Sequence, residues 1–166
     1  MYGIFFFIVG KGAGRAMETY VDVFDFIQKT HPMQPLTLEK LNKIGFVVTS
    51  VEDLIPNFSG DDPEEKRYLG TGPTLQDGTQ FRLFDFRFST KDPVGTFLYI
   101  DIVTNTCITY KDFSKMYPTH GSYIEGRPAE SVRWVQEGGT RISVAFPLEK
   151  PSCMQSFTID TFPQDP

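Results

Sequence analysis

The chain has 166 residues, 16 of them basic and 21 acidic, for a formal net charge of -5. Hydrophobic residues make up 40% and charged residues 22%, which supports a packed core and argues against global disorder. An acidic chain has no electrostatic reason to bind DNA or RNA, and no apolar run approaches the roughly 20 residues of a membrane-spanning helix.

Residues Ile4 to Val9 form a short, wholly apolar run that reads as a buried strand. A secretory signal needs a basic segment ahead of its apolar stretch, and only Met1 and Tyr2 stand there. The expected location is therefore cytoplasmic, with the periplasm as the alternative where a signal peptide has already been removed. Gly10, Gly12 and Gly14 follow, in a spacing that matches neither the dinucleotide nor the P-loop fingerprint, so a flexible connection is expected. Residues 17–28 are rich in Val, Tyr and Phe, which favours a strand. Glu18, Asp22 and Asp25, however, recur at helical spacing, and the helix is the preferred reading. Pro32 and Pro35 close the segment.

The remainder carries an internal similarity. Leu36-Thr37-Leu38-Glu39-Lys40-Leu41-Asn42-Lys43-Ile44 resembles Ile108-Thr109-Tyr110-Lys111-Asp112-Phe113-Ser114-Lys115-Met116. Leu38, Leu41 and Ile44 stand opposite Tyr110, Phe113 and Met116, a three-residue spacing suited to one helix face. Thr37 and Thr109 are each placed as an N-cap. Gly78 to Phe86 then has a counterpart in Gly139 to Phe146, and Phe97 to Ile102 in Ser156 to Thr161. Each half adds a strand ahead of its glycine, Lys66 to Gly70 and Ser131 to Gln136, with Asp77-Gly78 and Gly138-Gly139 as turn signals. Residues 57–65 and 118–130 read as loops.

The expected fold class is α+β: antiparallel sheet with helices on one face, from a tandem helix-β-β-β duplication. The expected organisation is a single domain, 1–166, with sub-repeats 36–103 and 108–162 and an N-terminal extension 1–35.

Chemistry-bearing motifs are sparse. Cys107 and Cys153 belong to no C-x-x-C pair and read as reduced, buried thiols; a disulfide would require an oxidising compartment. The two histidines, His31 and His120, offer no zinc-ligand spacing. A nucleophilic pair of either cysteine with either histidine stays open. Asp85, Asp101 and Asp160 lie in strands, where alternation puts them on a solvent face as readily as in an acid–base site. No catalytic residue, metal or cofactor is expected. Asp61, Asp62, Glu64 and Glu65 form an acidic loop cluster suited to steering a basic partner, and Tyr68, Tyr123 and Trp134 are of residue types common at interface hot spots.

The tandem layout over residues 36–162 resembles that of the β-lactamase-inhibitor proteins, in which two such units form a broad sheet surface. In general character the chain also resembles the immunity proteins that neutralise bacterial toxins. These resemblances imply a binding protein rather than an enzyme. It would block the active site of a partner enzyme, most naturally a bacterial toxin, with Asp61, Asp62, Glu64, Glu65, Tyr68, Tyr123 and Trp134 meeting that protein. No nucleic acid or membrane partner is expected. A small enzyme or ligand carrier with a site between sheet and helices is one alternative, and a structural subunit of a phage or secretion assembly is another.

Overall fold

The computed structural model describes residues 19–33, 35–54, 65–89, 95–117, 123–125, 130–137, 139–148 and 152–161. The apolar run Ile4 to Val9, the glycines at 10, 12 and 14, His120, and the loop acids Asp61, Asp62 and Glu64 lie outside them.

The first helix, α1, spans Val23–Thr30. It begins later than residues 17–28 suggested because two of the three acids end a helix rather than line one. Asp22 is the N-cap, its carboxylate accepting from the Asp25 amide at 2.8 Å, while Asp25 accepts from the Val21 amide at 2.9 Å. One donor that the first turn leaves orphaned, and the amide just ahead of the cap, are thereby satisfied. Lys40 then donates to the carbonyls of Met33 and Pro35, fastening the chain between α1 and α2 (Leu38–Lys43). Thr37 caps α2 through the Lys40 amide, and Gly45, at φ 98, ends it in a left-handed conformation that a side chain would strain. The third helix, α3 (Tyr110–Met116), starts in a capping box: Thr109 accepts from the Asp112 amide, and Asp112 accepts from the Thr109 amide. Thr109→Ala is expected to cost about 1 kcal/mol in urea unfolding, with Thr109→Ser recovering most of it.

The strands are β1 (Val47–Leu54), β2 (Glu65–Thr71), β3 (Gln80–Ser89), β4 (Thr96–Val103), β5 (Tyr123–Glu125), β6 (Glu130–Glu137), β7 (Thr140–Pro147) and β8 (Ser156–Thr161). They form one antiparallel sheet in the order β1-β2-β3-β4-β8-β7-β6-β5. Each of α2 and α3 is thus followed by four strands, not the three expected. β1 and β5 are the additions, and they are the two edge strands. The halves meet where β4 runs antiparallel to β8, with Tyr99 opposite Thr158.

Period-two alternation sorts the strand residues onto two faces. Phe84, Phe86, Leu98, Ile100, Ile142, Val144, Phe157 and Ile159 face the helices and are buried. Phe26 of α1 sits over the junction of the halves, its ring centroid 4.7 Å from Phe81 and 6.0 Å from Phe157, with Phe46 5.9 Å away. Edge-to-face contacts of this kind add to the apolar burial that holds a helix on a sheet. α2 and α3 bury Leu41 and Phe113, but Ile44 is buried whereas its expected counterpart Met116 is exposed, so the two helices are not equally embedded.

A disulfide joins Cys107 to Cys153, with Cα atoms 4.9 Å apart. This overturns the reading of two reduced thiols. Cys107 lies just before the α3 cap and Cys153 just before β8. The backbone bonds Met154 N–H to Ile108 O (2.8 Å) and Ile102 N–H to Gln155 O (2.9 Å) bring the two connections together.

Candidate functional site

The sheet face opposite the helices is built from the residues between the core positions. Arg67 of β2, Asp85 and Arg87 of β3, Phe97, Tyr99 and Asp101 of β4, Thr158 and Asp160 of β8, and Arg141 and Ser143 of β7 share it. Cross-strand register brings Arg67, Arg87, Phe97, Asp160 and Arg141 into one row. A bulge in β3 between Phe81 and Leu83 sets both Arg82 and Leu83 against Asp101.

Asp85, Asp101 and Asp160 of this face are each held by arginine. Asp85 is 5% exposed and accepts from Arg67 Nε (3.0 Å) and Nη2 (2.8 Å) and from Arg87 Nε (3.1 Å) and Nη2 (2.7 Å). Arg67 also donates to Glu52 of β1 at 3.2 Å. Arg82 Nε donates to Asp101 at 2.8 Å, and Arg141 Nη2 to Asp160 at 2.8 Å. Burial pushes the Asp85 carboxyl up, but the hydrogen bonds from Arg87 and Arg67 outweigh it and hold the group below the usual carboxylate range. Burial wins at Asp160, which has one arginine instead of two and stays above that range. The Arg87 guanidinium lies over the Phe97 ring, 5.1 Å from its centroid.

These aspartates therefore form an ion-pair lattice. The disulfide consumes the thiols of the open cysteine–histidine pairing. Among the described residues no group of three His, Cys, Asp or Glu side chains is placed to hold a metal ion, and no helix is long and apolar enough to cross a membrane.

Of the residues expected to meet a partner, the strand register places Glu65 and Trp134 on the helix-free face. Glu65 is exposed at the start of β2. Tyr68 lies on the helix side, its ring stacked on Phe88 at 5.7 Å and 10°. Tyr123 is paired with Arg133 in β5 and Trp134 with Ser143 in β6. The sequence does not single out the arginines, Phe97 or Tyr99, because only the register of distant strands makes them neighbours. Alternation of Phe with charged residues through Phe84-Asp85-Phe86-Arg87-Phe88 was the signal available.

A second feature lies on the helix side. Leu36 to Glu39, at the start of α2, and Lys66, Tyr68, Phe86, Phe88, Ser89 and Thr96 enclose an open cleft of about 630 Å³. No known protein family, curated protein or solved structure matches the chain.

Proposed function

We propose that this chain is a binding protein that neutralises a partner enzyme, as an immunity protein neutralises a bacterial toxin, by docking on the helix-free face of its sheet. The supporting observation is that face itself. Among the described residues helices pack on one side of the sheet only, and the other side is the surface this reading assigns to a partner. At a strand spacing of about 4.8 Å the eight-stranded sheet spans about 34 Å, wide enough for the roughly 800 Å² that each partner contributes to a standard interface. Its composition fits as well. Arginine and aromatic residues are enriched at interfaces and lysine is depleted; this face has Arg67, Arg82, Arg87, Arg141, Phe97 and Tyr99 and, among the described residues, no lysine. Because its arginines are already paired with aspartates, docking would not strand bare charges.

Two further readings go with this one. The helix-then-four-strands order recurs, which supports a tandem repeat that doubles the width of the docking face. The disulfide supports work in an oxidising compartment, the periplasmic alternative rather than the cytoplasm.

The test compares the wild-type chain with a Leu83→Asp/Tyr99→Ala variant, each immobilised and offered extract from the source cells. Purified chain is then titrated against any captured enzyme. The expected result is stoichiometric loss of that enzyme's activity with wild type and at least a hundredfold weaker inhibition by the variant. Full enzyme activity at saturating wild-type chain refutes neutralisation, and equal inhibition by the variant refutes this face as the docking surface.

A further inference from the structure

We propose that the cleft between α2 and the β2–β4 end of the sheet binds an anionic amphiphile, an alkyl-chain carboxylate. The cleft opens on the helix side, and Leu38 and Lys66, which test it, lie off the docking face, so this proposal and the previous one stand or fall separately. Its volume of about 630 Å³ falls within the range of small-molecule sites.

Its lining is apolar where it is deep. Leu36 and Phe86 are buried at the back, while Leu38, Tyr68 and Phe88 are only partly covered and flank it. Protein interiors normally close up to crystal-like density. An apolar concavity of this size is filled more favourably by an apolar group than by water, which needs several polar partners.

The polar groups around it are mostly spent. Thr37 caps α2, and Thr96 shares a 2.7 Å hydrogen bond with Thr161. Glu39, the one carboxylate among the described lining residues, is bridged to Lys43 at 2.6 Å. Lys66 is left: exposed, in the lining, and engaged by no ion pair among the described residues. An apolar wall with one available ammonium selects a ligand with a hydrocarbon body and an acidic head.

The probes are dodecanoate and 1-dodecanol below their aggregation limits, titrated calorimetrically into the full chain. Dodecanoate is expected to bind one-to-one. Lys66→Glu, at an exposed position, should weaken it about fivefold or more while leaving dodecanol unchanged. Leu38→Trp, which fills the cleft, should weaken both at least tenfold; equal unfolding midpoints confirm that each variant folds. Failure of dodecanoate to bind overturns the proposal, as does binding that Leu38→Trp leaves untouched. Equal effects of Lys66→Glu on both probes overturn the acidic-head assignment.

Discussion

Replacing both Cys107 and Cys153 with alanine is expected to lower the unfolding free energy by about 4 kcal/mol, the value chain-entropy reasoning gives for a cross-link between residues 46 apart. The effect acts chiefly on the unfolded chain. In the folded state the same connections stay together through the Met154–Ile108 and Ile102–Gln155 backbone bonds, so native geometry changes little. Against a typical stability of about 5–15 kcal/mol, such a loss is decisive for a domain this size. Urea unfolding of the double variant, and of wild type in excess dithiothreitol, should give superimposable curves. A loss below about 1 kcal/mol would refute the argument. Two free thiols in unreduced wild-type protein would remove its premise.

Local physics made much of the fold readable. Thr37 and Thr109 cap helices as their position predicts, because a hydroxyl before an apolar run has one dominant use. Strands β2, β3, β4, β6, β7 and β8 alternate clearly enough to be found within a few residues. The edge strands were not. In β1 the register shifts between Val48 and Ser50, which breaks the alternation, and Val47 and Val51 are both more than half exposed. An edge strand has one neighbour to bury against, so its pattern is weak. β5, three residues long, fell within an expected loop.

The candidate site was less readable because it is made by pairing at long range. Asp85 and Arg67 are 18 residues apart, and Asp160 meets Arg141 across a separate hairpin. The cysteines pose the same problem: two thiols 46 residues apart have no sequence mark of proximity until β8 is placed beside β4. The three strand aspartates stand out in the sequence as a set, but only their partners turn them from possible acids into lattice members.

Those partners give the second large prediction. Asp85→Ala is expected to cost about 3 kcal/mol, because it leaves the Arg67 and Arg87 guanidinium groups side by side without their shared carboxylate. Both arginines remain about a third exposed, 30% and 38%, so water recovers part of the loss and keeps it at the low end for a broken buried pair. The pH dependence separates Asp85 from Asp160. The folded-state pKa of Asp85 is lowered, so its contribution is complete above the unfolded value near 3.8 and is lost as pH falls through the folded value. The folded-state pKa of Asp160 is raised, so its contribution has the opposite sign: it is complete below the unfolded value and is lost as pH rises through the folded one. Asp85→Asn should therefore flatten the acid limb of a stability-against-pH curve measured from pH 2 to 7. Asp160→Asn should steepen that limb and cost less at pH 7, since the amide no longer carries a buried charge. Identical pH profiles for the two variants would show that one arginine serves as well as two, and the lattice argument would fail.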